Sequence, residues 1–181
     1  MYPSQQLKYE NYKAWSDYLS RFPWQWLATL TFDKKCRKES WFRVGNLNPI
    51  EGEKIVYYSG RKLFNKWRLC LINKEKLRLG SYLLSSYKKD YLHFHALLLG
   101  RNRYGKTLLE CSHRQCALSW PYHARIKIVN EVEKAADYVA AHFMGFKSDY
   151  ASIDSYDSTL LRQSISLQRD GFDNFDGLLT N

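Results

Sequence analysis

A chain of 181 residues with 45% hydrophobic and 16% aromatic side chains carries enough apolar material for one domain with its own core, which excludes a chain disordered throughout. No apolar run approaches the ~20 residues of a membrane span, and the opening Met-Tyr-Pro-Ser-Gln-Gln lacks the basic and apolar regions of a secretory signal, so a cytoplasmic protein without a membrane partner is expected. The net charge of +10 is uneven: residues 148–181 hold six acidic and two basic side chains, leaving 26 basic and 12 acidic in the first 147. A basic body, residues 1–147, followed by an acidic tail, residues 148–181, points to a polyanionic partner, with nucleic acid the first candidate.

Residues 5–20 read as an amphipathic helix carrying Tyr9, Tyr12, Trp15, Tyr18 and Leu19, which either pack on the body or, interleaved with Lys8, Lys13 and Arg21, stack on bases. After Pro23, the stretch Trp26 to Phe32 predicts a strand with Thr29 and Thr31 on one face and Leu30 and Phe32 on the other. Asp33 to Asn48 is polar and basic, a surface connection punctuated by Pro49. Ser59 to Leu71 then predicts a helix that buries Leu63, Phe64, Trp67 and Leu71.

Leu79 to Tyr87 reads as a strand, and Lys88-Lys89-Asp90 as the tight turn of an antiparallel hairpin. Its second strand is Tyr91-Leu-His-Phe-His-Ala-Leu-Leu-Leu-Gly100. Alternation puts His93 and His95 on one face about 6.5 Å apart along the chain, with Phe94 and Ala96 turned toward a core. Two imidazoles so placed can take adjacent positions on one metal ion, although polar residues on the wet face of a strand give the same pattern.

Arg101, Arg103 and Lys106 crowd the loop after Gly100, and Thr107 to Trp120 predicts a helix stopped by Pro121. Ala124 to Val129 alternates Arg125 and Lys127 with Ile126 and Ile128, a strand with a basic outer face. Asn130, with Glu133 three residues on, predicts the cap of a helix from Glu131 to about Phe143. Val132, Ala136, Val139 and Phe143 form its buried stripe, while Tyr138 lies off that stripe with Lys134 and His142 one turn to either side. In the tail, Thr159 to Leu167 predicts a short helix, and residues 170–177 read as irregular. Cys36, Cys70, Cys111 and Cys116 show no disulfide or zinc framework and are expected reduced.

Three stretches in this order carry a resemblance: Leu27-Ala-Thr-Leu-Thr-Phe32, His93-Phe-His95-Ala-Leu-Leu-Leu99 and Tyr138-Val-Ala-Ala-His-Phe143. Together they resemble the motifs of the HUH endonuclease superfamily, specifically its single-tyrosine rolling-circle replication initiators (Rep proteins), over roughly residues 24–147. The resemblance implies an α+β fold of ferredoxin-like type, a central antiparallel sheet with flanking helices, and the helix read over residues 5–20 is then an N-terminal extension to it. It also implies a nickase that cuts and rejoins single-stranded DNA through a covalent 5′-phosphotyrosine. Tyr138 would be the nucleophile, His93 and His95 would hold a divalent metal, Mg²⁺ or Mn²⁺, and the substrate would be single-stranded DNA or an origin hairpin.

Two positions depart from that pattern. Where the family places a carboxylate in the preceding strand, this chain has Leu84-Ser85-Ser86-Tyr87, which leaves Asp90 or water as third metal ligand. Where many members have a lysine three residues after the tyrosine, this chain has Ala141, which leaves His142 or Lys134 to supply the charge. Arg101, Arg103, Arg125, Lys127 and Lys147 are the candidate contacts to the DNA backbone. With no Walker-type glycine loop in the chain, unwinding falls to a host helicase. A single-tyrosine transposase of the same superfamily and a non-catalytic nucleic-acid-binding module on the same sheet are the alternative readings.

Overall fold

The structure is a computed structural model that describes residues 5–32, 49–88, 91–144 and 150–169. Its elements are α1 (Gln5–Leu19), β1 (Trp26–Thr31), α2 (Pro49–Glu75), β2 (Arg78–Lys88), β3 (Tyr91–Arg101), α3 (His113–Leu118), β4 (Ala124–Ile128), α4 (Val132–Phe143), β5 (Tyr150–Tyr156) and α5 (Ser158–Arg169). The five strands form one sheet in the order β4-β1-β3-β2-β5, antiparallel throughout. This is the α+β architecture expected, with the histidine strand β3 at its centre.

Alternation along β3 divides the molecule into two layers of core. Phe94, Ala96 and Leu98 face the same side as Trp26, Ala28, Leu30 and Leu83, and are closed over by Phe64, Trp67 and Leu71 of α2 and Cys116 of α3. Leu97 and Leu99 face the other side with Leu84, under Leu19 of α1, Ala135, Ala136 and Val139 of α4 and Leu161 of α5. Phe94 is fully buried, which contributes on the order of 2–3 kcal/mol of transfer free energy and pins the register of β3. Gly60 of α2 lets that helix close on Phe94: a Cβ there would stand 2.6 Å from the Phe94 Cζ.

Four segments differ from the sequence expectations, each for a local reason. Helix α2 begins at Pro49, ten residues earlier than expected, since proline suits the first turn of a helix as well as a loop. The helix expected over 107–120 is broken: Leu108–Glu110 form a 3-10 turn, Cys111 is extended, and Ser112 caps α3 by accepting from the Gln115 amide. Helix α4 is capped at Glu131 rather than Asn130, and no side chain bonds to its first turn. Residues 150–156 of the expected tail form β5, which pairs with β2 from Ser81 to Tyr87. Asp157 follows at φ 52°, caps α5 by accepting from the Leu160 amide, and pairs with Arg78 at 2.8 Å. No helix among the described residues is long and apolar enough to cross a membrane.

Candidate metal centre

Three elements converge beside the middle of β3. Register pairs His95 with Thr29 on β1 and Leu84 on β2, and pairs His93 with Thr31, so all of these occupy the sheet face that α4 covers. Ser85 belongs to the opposite face with Phe94 and cannot reach the histidines. Across the gap, the spacing of 3.6 residues per turn sets Tyr138 and His142 of α4 one above the other.

These placements bring four rings together. The centroid of His95 lies 4.8 Å from His93, 4.4 Å from His142 and 5.0 Å from Tyr138, and Tyr138 lies 4.7 Å from His142. One ligand atom from each of His93, His95 and His142 fits within 4.8 Å of the others, a group that can hold a metal ion. His95 is 2% exposed and His142 8%, whereas His93 is half-buried and gives the group its opening.

The donor set itself tests the fit. Among the described residues the group offers three imidazoles and no carboxylate, a set that suits a borderline ion such as Zn²⁺ better than Mg²⁺, which selects oxygen ligands and keeps its waters. Thr29 Oγ1 lies 3.2 Å from Nδ1 of His95, so one nitrogen of this imidazole has a partner within the sheet. Tyr138 is half-buried, and desolvation pushes its hydroxyl above the usual tyrosine range, so the phenol is neutral unless a cation comes close.

The other expected site residues fall in three groups. His142 is brought to the histidines as a donor, where sequence reading had it supplying charge to the tyrosine. Its buried flank of α4 was concealed because periodicity cannot say which strand a helix edge will overlie. Lys134 is exposed and pairs with Glu131 at 2.6 Å, a turn below Tyr138. Asp90 and Lys147 lie outside the described residues.

The basic candidates separate in space. Arg125 pairs across Thr29, so Arg125, Thr29 and His95 form one row of the histidine face, and Lys127 lies next along it opposite Leu27. Both side chains are exposed, at the open β4 edge. Two strand spacings put Arg125 about 10 Å from His95. Arg101, by contrast, ends β3 six residues beyond His95, or about 20 Å along the strand, and Arg103 stacks on Tyr104 with its guanidinium 4.7 Å from the ring.

The helix bearing Tyr138 is held by α1, which packs with it over the same sheet face. Ser16 donates to the Asp137 carboxylate, and the ring of Trp15 meets Phe143 edge-on at 4.9 Å. The aromatic residues of α1 therefore serve packing in part: Trp15 is half-buried, while Tyr9 remains 55% exposed. No family model, no curated protein and no solved structure matches the chain.

Proposed function

We propose that the chain is a metal-dependent single-stranded DNA nickase and strand-rejoining enzyme of the HUH type, with Tyr138 as nucleophile and His93, His95 and His142 as metal ligands. The observation that carries this reading is the meeting of Tyr138 with His95 of β3 and His142 of its own helix, two members of the three-histidine group. A structural tyrosine needs no such company, whereas a phenol that must attack a phosphate does.

The expected chemistry follows from the placements. Held by the three imidazoles, a divalent ion would polarise a non-bridging oxygen of the scissile phosphate and offset the charge that develops there. Tyr138 Oη attacks phosphorus, the P–O3′ bond breaks, and the products are a 5′-phosphotyrosine and a free 3′-hydroxyl. The proton lost from the phenol is balanced by the one that the departing 3′ oxygen takes up. Because the phosphotyrosine conserves a phosphate ester bond, attack by a 3′-hydroxyl reverses the reaction without a nucleotide cofactor. Arg125 and Lys127 lie on the same face of the sheet and supply cations for the strand leading to the site.

Initiation of rolling-circle replication is the process that this chemistry fits, with a helicase supplied separately. The test uses labelled single-stranded oligonucleotides tiling the DNA that encodes the protein, incubated with Mn²⁺ or with chelator and resolved on a denaturing gel. A protein–DNA adduct that requires metal and disappears in Tyr138→Phe is expected. Tight binding without an adduct in any metal would replace the nickase by a binding module on the same sheet.

A further inference from the structure

We infer that Thr29 is a positioning residue of the metal centre, holding His95 in the tautomer and ring plane that a metal requires. The inference rests on the three-histidine group being a metal site, and it gives one threonine of β1 a task that neither charge nor burial suggested.

Thr29 and His95 are direct partners across β1 and β3, so the backbone ladder fixes their separation. Threonine is branched at Cβ and stiff at χ1, which confines its hydroxyl to few directions. That hydroxyl lies 3.2 Å from Nδ1 of His95, within hydrogen-bonding range. A threonine oxygen can accept the Nδ1 proton, and the imidazole then carries its lone pair on Nε2, the form that binds a metal. Hydrogen-bonded partners of this kind orient ligands and raise their basicity.

His95 is 2% exposed, so bulk water has little access to the ring. Its partner on β2 is Leu84, an apolar side chain, and the rings of His93, His142 and Tyr138 pack around it. Thr31, two residues on and opposite His93, uses its hydroxyl differently: Oγ1 donates to the backbone carbonyl of His123 at 3.0 Å. The two threonines share a face but have separate tasks, and Thr31 therefore serves as the control.

The experiment measures Zn²⁺ and Mn²⁺ affinity of the full chain by competition with a chromophoric chelator, for wild type, Thr29→Val, Thr29→Ser and Thr31→Val. Thr29→Val should bind metal about 10–100-fold more weakly, the usual cost of losing such a partner. Thr29→Ser should recover most of that loss, and Thr31→Val should match wild type. Nitrogen NMR of the metal-free protein, assigned with His95→Gln, should show His95 protonated at Nδ1 in wild type and Thr29→Ser but mixed in Thr29→Val. Unchanged metal affinity in Thr29→Val, or a loss that Thr29→Ser does not recover, would overturn the role of Thr29 while leaving the metal centre standing. A wild-type chain that takes up neither ion would instead overturn the metal centre itself, and this role with it.

Discussion

The ring of Tyr138 lies 5.0 Å from that of His95, across the boundary between a helix and the central strand of the sheet. Removing the Tyr138 hydroxyl should leave this packing intact, since phenylalanine retains the ring. Tyr138→Phe is therefore expected to lose the covalent adduct altogether, with metal affinity and melting temperature unchanged. Gel detection of the adduct beside a chelator-competition titration checks both halves.

His142 makes the next prediction. As one of three donors, its replacement by alanine should weaken metal binding more than the ~10–100-fold that the loss of a supporting partner costs. The three imidazoles should also rank Zn²⁺ and Mn²⁺ above Mg²⁺. Thermal melts report this directly, because an ion present at a hundred times its dissociation constant adds about 2.7 kcal/mol to the folded state. Stabilisation by Mg²⁺ equal to that by Zn²⁺ would show that the histidines are not the ligands.

The two groups of arginines should behave differently toward DNA. Arg125→Ala and Lys127→Ala should each weaken binding and reduce the salt slope by about one ion, as expected for a lost phosphate contact. Arg101→Ala, about 20 Å along β3 from His95, and Arg103→Ala in the loop beyond that strand should leave the slope unchanged. Fluorescence anisotropy across a salt series separates the two outcomes.

Gly60→Ala sets two effects against each other. Alanine gains about 1 kcal/mol in helix propensity, but overpacking against Phe94 costs ~1–3 kcal/mol. A net loss on the order of 1 kcal/mol is expected, seen as a melting temperature lower by about 2–4 °C. A rise in melting temperature would show that Phe94 yields freely.

Thiol chemistry offers a check on packing remote from the site. Burial pushes the Cys111 thiol up to about 11, with Glu75 adding to the effect, so at pH 8 almost none of it is thiolate. Cys70 is exposed. Peptide mapping after brief alkylation at pH 8 should find Cys70 modified and Cys111 intact until denaturant is added.

Much of the fold was legible because the strands alternate cleanly. His93, Phe94, His95 and Ala96 declare two faces by parity alone, and the basic alternation of β4 does the same. The pairing of Tyr138 with His142 was legible as helix spacing. What could not be read was the angle at which α4 meets the sheet, and this angle decides that His142 reaches the two histidines of β3. Strand β5 was hidden for a related reason: Tyr150-Ala-Ser-Ile-Asp-Ser-Tyr156 mixes polar and apolar residues too evenly to show a face, and its pairing with β2 depends on an edge that local sequence does not reveal. The broken helix at Cys111 shows the same limit at short range, where the Ser112 cap prevails over a run that otherwise reads as helical.

The parity of β3 also determines which insertions and deletions the site can survive. Adding one residue between the turn and His93, with the strand's pairing kept, would turn both imidazoles toward Phe64 and Trp67 and present Phe94 and Ala96 to Tyr138. Adding two would restore the faces and displace the ligands by about 6.6 Å along the strand. Length changes in this hairpin should therefore be tolerated, where they are tolerated at all, in even steps. A chain altered by an odd step would keep most of its apolar composition and lose its donors to the wrong side of the sheet.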